Sequence, residues 1–193
     1  MRKIILATTS PYRIKAFKFL GIDFEPQASS VDESLIERKD PENLVKALSK
    51  LKAKAVAKNY ADAIIIGFDS VGYFNGQILE KPKSKEEAFK RLSSLSGNNH
   101  QFYTGIFMLD TKSGKEISKI VPTQVFMRKF SKEEIDKYLN EDQYFNTYAL
   151  GYDPLEHSSS SFIERIEGSY NNITRDIPLE QIMEMLNDIG YKI

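Results

Sequence analysis

The stretch Ile64-Ile65-Ile66-Gly67-Phe68-Asp69-Ser70 decides the predicted fold. Its three consecutive β-branched residues predict a strand that is buried on both faces, as in the sheets of α/β proteins. Asp69 follows directly, where we expect the strand to meet its loop, and open α/β sheets bind ligands at the carboxyl ends of strands. A hairpin turn predicted at Asn75-Gly76 would bring Lys81 back towards the same end. The stretch therefore predicts one buried strand that carries an acid and a base to a shared site.

The composition is typical of a globular protein of one domain. Of the 193 residues, 41% are hydrophobic and 28% are charged, with 27 basic and 27 acidic side chains. This balance gives no global field that would favour nucleic acid or an anionic membrane. The sequence has no cysteine and two histidines, so a metal would need oxygen ligands, which magnesium and manganese prefer. No apolar run reaches transmembrane length and no signal peptide is recognisable, so we expect a cytoplasmic protein.

The N-terminal segment has the pattern of an anion-binding turn. A strand-like run over 3–7 leads into Thr8-Thr9-Ser10-Pro11, where Ser10 suits a helix N-cap and Pro11 suits the first helical position. The free N–H groups of such a helix start attract anions, and Arg13 in the first turn could fork onto a phosphate. An ordinary capped helix with an exposed arginine explains the same residues equally well.

The rest of the chain predicts alternating helices and strands without a clear linker between two domains. A long helix runs from Asp40 to about Tyr60, and its Lys52 lies at the edge of the apolar stripe. The Lys52 ammonium therefore either reaches water or points into a cleft. A run of four serines from Ser158 is typical of a flexible linker. The remaining predicted elements are strands over 22–27, 101–109, 116–126 and 162–166, helices that begin at capping boxes at Ser84 and Ser131, and a helix over 178–189.

A series of short motifs runs along nearly the whole chain. In order, they are Ile5-Leu6-Ala7-Thr8-Thr9-Ser10-Pro11-Tyr12-Arg13, Val31-Asp32-Glu33, Leu48-Ser49-Lys50-Leu51-Lys52-Ala53, Ile66-Gly67-Phe68-Asp69-Ser70-Val71, Gly76-Gln77-Ile78-Leu79-Glu80-Lys81-Pro82, Leu95-Ser96-Gly97, Tyr103-Thr104-Gly105 and Phe162-Ile163-Glu164-Arg165-Ile166-Glu167-Gly168. Their order and spacing resemble those of the Maf family of nucleoside triphosphate pyrophosphatases. Each motif is weak alone, and the series together is specific.

The resemblance implies a single Maf-like domain over 1–193. It implies a mixed α/β fold of the inosine triphosphate pyrophosphatase type, with an elongated sheet flanked by helices and two lobes around a central cleft. The implied reaction is hydrolysis of a nucleoside triphosphate to its monophosphate and pyrophosphate, a house-cleaning activity on modified nucleotides. It implies a divalent metal, magnesium or manganese, and by analogy a homodimer. No nucleic acid or membrane partner is expected.

Family roles carry over to residues of the matching motifs. The resemblance implies phosphate binding by Ser10 and Arg13, metal binding by Glu33 and Asp69, and catalytic roles for Asp69, Lys52 and Lys81. Asp69 is the implied proton acceptor. These residue types suit the reaction, because arginine and lysine offset phosphate charge and a carboxylate can deprotonate water.

Three positions that tune the nucleobase in the family correspond to Tyr12, Ser70 and Glu156. The common family pattern is linked to dTTP and UTP, and this chain departs from it at all three positions. Tyr12 and Glu156 resemble a second branch, which is linked to 7-methyl-GTP. An aromatic face attracts the cationic methylated guanine, and a carboxylate accepts from its N1–H and N2–H groups. Asp176 replaces a glycine that is usual in the family.

Other functions remain open from the sequence. The same reaction could act on dTTP and UTP, or on inosine and xanthosine triphosphates. A different class of function is a nucleotide-sensing protein in cell-division (septum) control, although the presence of Asp69, Lys52, Lys81 and Glu33 favours an active enzyme. A nucleic-acid module is disfavoured by the zero net charge.

Overall fold

A mixed seven-stranded sheet forms the centre of the protein in the computed structural model, which describes residues 2–192. Its strands are β1 (Lys3–Leu6), β2 (Glu25–Pro26), β3 (Ala63–Phe74), β4 (Gln77–Leu79), β5 (Asn99–Asp110), β6 (Glu116–Met127) and β7 (Ile163–Glu167). The strand order is β2-β1-β3-β5-β6-β7, and β4 also pairs with β3. β1 is parallel to β2 and β3, and the other pairs are antiparallel.

Among residues 2–192, six α-helices flank this sheet, so the predicted mixed α/β class is confirmed. They are α1 (Pro11–Phe17), α2 (Pro41–Ala57), α3 (Lys85–Leu95), α4 (Lys132–Glu141), α5 (Tyr170–Arg175) and α6 (Leu179–Asp188). The caps follow the sequence: Ser10 and Asp40 each accept an N–H bond at the start of their helices. Both helices carry proline at the first position, where the missing N–H group has no intrahelical partner.

The isoleucine run behaves as its composition predicts, since Ile64, Ile65 and Ile66 are fully buried. Alternate side chains of β3 point to opposite faces. Ile64, Ile66 and Phe68 pack in a cluster with α1 and α6, whereas Ile65 packs in a cluster with α2. A separate cluster around α3 and α4 fills the other end of the sheet. The 12-residue strands β3, β5 and β6 join these two lobes.

The prediction that Asp69 ends its strand is wrong. β3 continues to Phe74 because β5 pairs with it beyond the acid, in a register that places Asp69 opposite Gly105. The other edge of β3 is interrupted: β1 covers it up to Ile66, and β4 pairs with it from Gly72 onward. Within residues 2–192, the edge between these two partners has no strand neighbour. Asp69 therefore lies at a gap in the sheet.

Two smaller predictions also need correction. The serine run forms a short 3-10 turn over Ser158–Ser161 instead of a flexible linker, because the buried Ser159 hydroxyl donates to the carbonyl of Asp153 at 2.6 Å. The capping box at Ser131 is complete, whereas at Ser84 only the serine half forms. Across residues 2–192, every helix is too short or too polar to cross a bilayer.

Candidate active site

A cavity of about 1340 Å³ opens at the gap in the sheet. Both lobes contribute to it: the start of α1, α2 and β3 line one side, and the segment 141–157 lines the other. Of the described residues that line it, six are basic and eight are acidic. A cavity of this volume accommodates a ligand of nucleotide size.

The predicted acid and base residues meet in this cavity. The Lys52 Nζ lies 2.6 Å from Oδ1 of Asp69 and 2.9 Å from Oε1 of Glu33. Of the two orientations left open by the sequence, Lys52 therefore takes the one towards the cleft. Three elements deliver these groups, namely α2, β3 and the turn that begins at Glu33.

Glycines allow α2 to approach the sheet closely enough for this contact. A Cβ atom at Gly67 would lie 2.1 Å from the carbonyl oxygen of Ser49, and one at Gly105 would lie 2.3 Å from that of Val45. Because both obstacles are helix backbone, neither could move without displacing α2. The close approach of α2 to the sheet sets the position of Lys52 relative to Asp69.

Burial and charge act in opposite directions on Asp69. Its carboxyl is buried, and desolvation, the largest effect, raises the pKa of Asp69 above its usual value. The Lys52 ammonium opposes this rise through its charge and its hydrogen bond. A carboxylate with a raised pKa is a stronger base, which suits a group that accepts a proton from water.

Glu33 and Asp69 are the residues of the cavity that could hold a metal ion together with ligands from a substrate. Within residues 2–192, no three acidic or histidine side chains form a cluster that could hold a metal ion by themselves. Two carboxylates nevertheless converge on the same ammonium. Magnesium commonly binds one or two carboxylates and takes its other ligands from phosphates and water. These two side chains therefore fit a magnesium or manganese ion that arrives with a phosphate.

Arg13 is buried and lies on the face of β3 opposite to the one that carries Asp69. Its Nη2 donates to Oγ of Ser70 at 2.9 Å, and its Nη1 donates to the Phe68 carbonyl at 3.3 Å. Its Nε lies 2.9 Å from Oδ2 of Asp176. Ser10 caps α1 next to it and lines the cavity. The guanidinium of Arg13 is thus engaged by the protein's own groups.

Lys81 lies at the cavity as an exposed side chain. Its position follows the hairpin, in which Asn75 and Gly76 both have positive φ angles, as the predicted turn requires. The neighbouring Glu80 carboxylate pairs with Arg38. No salt bridge within residues 2–192 involves Lys81, so its charge is available to a ligand.

The three residues predicted to select the base all line the cavity but have different surroundings. Tyr12 contacts the other lobe, where its hydroxyl lies 2.8 Å from Oγ1 of Thr147 and its ring centroid 5.2 Å from that of Tyr148. Ser70 is bound by Arg13 on the same side. Glu156 also lines the cavity, but its side chain is 66% exposed and its nearest cation, Lys15, is 3.9 Å away.

Sequence reasoning missed Tyr148 and Thr147 as parts of the cavity, and it noted Asp176 only as a departure from the family pattern. The aromatic stretch Tyr144-Phe145 before them was the available indication. Asp176 gave a second indication, because a position that is usually glycine in the family suggests a left-handed backbone. Asp176 indeed has φ +58°.

Comparison with solved structures identifies the fold. The Ham1 protein of Staphylococcus aureus matches 98% of this chain and 100% of its own, with a TM-score of 0.58 and 17% identity. A HAM1 protein from Coxiella burnetii matches with a TM-score of 0.55 and 18% identity, over 97% of this chain and 100% of its own. The predicted fold type is therefore confirmed.

Comparison of sequences identifies the family: residues 3–189 match the Maf-like protein family, and the chain belongs to it. A dTTP/UTP pyrophosphatase of Methanosarcina barkeri is 38% identical, covering 100% of this chain and 97% of the relative. A 7-methyl-GTP pyrophosphatase of Nitrosococcus oceani is 33% identical over 98% and 94%. A nucleoside triphosphate pyrophosphatase of a Synechococcus strain is 36% identical over 98% and 95%. The predicted activity class is the one that these relatives' names carry.

Proposed function

We propose that this protein is a metal-dependent nucleoside triphosphate pyrophosphatase whose preferred substrate is 7-methyl-GTP. The observation that carries the reaction class is the convergence of Glu33 and Asp69 on Lys52 at a large cleft. Family membership and the relatives' names support the same class. Hydrolysis between the α and β phosphates yields the nucleoside monophosphate and pyrophosphate.

The charges of the cavity support metal dependence. Because acidic side chains outnumber basic ones around it, a bare triphosphate would enter against net repulsion. Glu33 and Asp69 would hold a magnesium or manganese ion. Such an ion, when bound, neutralises phosphate charge and polarises the phosphoryl group under attack.

Three side chains divide the work of the chemical step. The buried Asp69 carboxylate orients a water molecule and takes its proton, a task that its raised pKa favours. Lys52 keeps that carboxylate ionised and in place through its 2.6 Å contact. Lys81, exposed at the cavity, supplies positive charge to the phosphate chain.

The preference for 7-methyl-GTP is supported by the lining of the second lobe. The segment 141–157 brings tyrosines and carboxylates together, and Tyr12 packs against Tyr148 from the first lobe. Aromatic faces and carboxylates both stabilise a cationic base. Neutral thymine and uracil gain little from either feature.

The second candidate is a dTTP and UTP pyrophosphatase, which the 38% identity to the Methanosarcina barkeri protein favours. Inosine and xanthosine triphosphates form a third class of substrate. The single-domain assignment and the homodimer remain predictions from the family.

A pyrophosphate-release assay tests the proposal. The panel holds 7-methyl-GTP, GTP, dTTP, UTP, CTP, ITP and XTP, each with magnesium, manganese or a chelator. We expect the highest kcat/KM with 7-methyl-GTP and loss of turnover in the chelator. A higher kcat/KM with a pyrimidine nucleotide than with 7-methyl-GTP would contradict the proposed substrate but not the proposed reaction class. Nucleotide binding without turnover of any member would favour the sensing protein instead.

A further inference from the structure

Asp176 is a carboxylate that the protein holds at the cavity at a conformational cost. Its backbone is left-handed, with φ +58° and ψ 10°, a conformation that costs aspartate less than most residues but more than glycine. Strained residues of this kind concentrate at functional sites, because the surrounding structure must enforce them. The Asp176 side chain is 31% exposed and lines the cavity.

Arg13 fixes the orientation of this carboxylate. The guanidinium approaches side-on, with Nε 2.9 Å from Oδ2 and Nη2 3.4 Å from Oδ1. Arg13 in turn donates hydrogen bonds to two groups of β3, the carbonyl of Phe68 and the hydroxyl of Ser70. The Ser70 hydroxyl is within 2.8 Å of Oγ1 of Thr104 on β5, so the pair is anchored to two strands.

This arrangement makes Arg13 a poor phosphate ligand. A phosphate that bound the Nε and Nη2 edge of the Arg13 guanidinium would have to displace the Asp176 carboxylate, which already occupies that edge. Arg13 and Asp69 also lie on opposite sides of β3, because Ser70 and Asp69 are adjacent in the strand and point to opposite faces. The face of β3 to which Asp69 points carries the groups proposed for phosphate chemistry. The opposite face, to which Ser70 points, is therefore available to bind the nucleobase.

An arginine-bound carboxylate can still accept hydrogen bonds. A carboxylate offers about four lone-pair sites, and the hydrogen bond from Nη2 of Arg13 to Oδ1 uses one of them. The adjacent N1–H and N2–H donors of guanine match the remaining sites. Thymine and uracil present two carbonyl acceptors around a single N–H on the corresponding edge, and those oxygens would face the negative charge.

We propose that Asp176, positioned by Arg13, is the carboxylate that selects the nucleobase, in place of the predicted Glu156. Glu156 is less suitable, because a side chain that is 66% exposed is neither desolvated nor fixed by its contact with Lys15. The inference rests on the proposed pyrophosphatase function and assigns its specificity to a different residue.

The test compares kcat/KM for 7-methyl-GTP and for dTTP in the wild type, Asp176→Asn, Asp176→Gly and Glu156→Gln. We expect both Asp176 variants to lower the 7-methyl-GTP to dTTP ratio at least tenfold, the loss of roughly one hydrogen bond to a charged group. A purely structural defect would lower both values and leave the ratio unchanged. Glycine adopts the left-handed backbone without strain, so a lower ratio in that variant cannot come from a displaced turn.

Glu184→Gln serves as the matched control, because Glu184 pairs with Lys119 outside the cavity. Its ratio should equal that of the wild type. An unchanged ratio in the Asp176 variants, or a fall in Glu156→Gln alone, would overturn the inference while pyrophosphate release continues. Absence of pyrophosphate release from both nucleotides in the wild type would instead contradict the proposed function. Calorimetric titration with 7-methyl-GMP gives a second readout, in which Asp176→Asn should bind at least tenfold more weakly.

Discussion

Lys81 and Lys52 are both lysines of the cavity, but their surroundings give them different tasks. Lys52 is held between two carboxylates, whereas Lys81 is exposed beside the Arg38–Glu80 pair. An exposed lysine contributes little to folding and is available to neutralise the charge of an anionic ligand. In the proposed mechanism, Lys52 therefore organises the site and Lys81 is the lysine that meets the substrate.

Lys81→Ala should lower kcat/KM about 100-fold, because a positioned charge near the phosphates is lost. The melting temperature should stay at the wild-type value. Steady-state kinetics and thermal unfolding measure the two effects. The matched control is Lys83→Ala, an exposed lysine two residues away that does not line the cavity. Equal activity in the two variants would remove Lys81 from the site.

Elements, more than single residues, determine whether the site forms. α2 touches the sheet at Gly67 and Gly105, and the cavity lies where β1 and β4 leave the edge of β3 uncovered. Lys52 meets Asp69 because of this packing. A change in the packing distance of α2 should therefore affect folding and catalysis together.

Gly67→Ala should destabilise the fold by about 3 kcal/mol and abolish turnover, because the new Cβ meets the backbone of α2. Gly72→Ala in the same strand should lose only about 1 kcal/mol, since the new Cβ meets the end of the Leu150 side chain, which can rotate away, and lies 3.2 Å from the Cβ of Leu79, which has to shift only slightly. Denaturant unfolding of both variants gives the comparison. Equal losses would show that α2 tolerates displacement.

The sequence predicted most elements and left the long-range contacts undecided. Local patterns identified the isoleucine strand, the hairpin and the caps, because hydrophobic period and turn chemistry are local properties. They placed Asp69 at a strand end, since the pairing with β5 that extends β3 is nonlocal. They left two orientations for Lys52 and gave no indication of the six-residue α5, whose packing places Asp176 against Arg13.

At the scale of the whole molecule, one buried histidine links stability to pH. His100 lies on β5, and its Nε2 is 3.4 Å from the Tyr152 hydroxyl. Burial lowers the pKa of His100 from 6.5 to about 4. The folded state therefore binds this proton less readily than the unfolded chain does. The stability from the neutral histidine is present above pH 6.5 and is lost as the pH falls towards 4.

We predict that the free energy of unfolding decreases by about 2 kcal/mol between pH 6.5 and pH 4.5 because of this group. His100→Gln should lack that part of the decrease, and Tyr152→Phe, which retains the histidine, should keep it. Urea unfolding at several pH values measures the difference. The same slope in His100→Gln and the wild type would show that other groups cause the pH dependence.

The most direct test of the whole molecule's activity is the identification of products from 7-methyl-GTP and magnesium by phosphorus NMR, with the wild type and Asp69→Asn side by side. We predict 7-methyl-GMP and pyrophosphate in equal amounts from the wild type, and turnover at least 100-fold lower from Asp69→Asn, because the buried base at the gap in the sheet is removed. Release of orthophosphate by the wild type, or near-normal turnover by Asp69→Asn, would contradict the proposed pyrophosphatase mechanism.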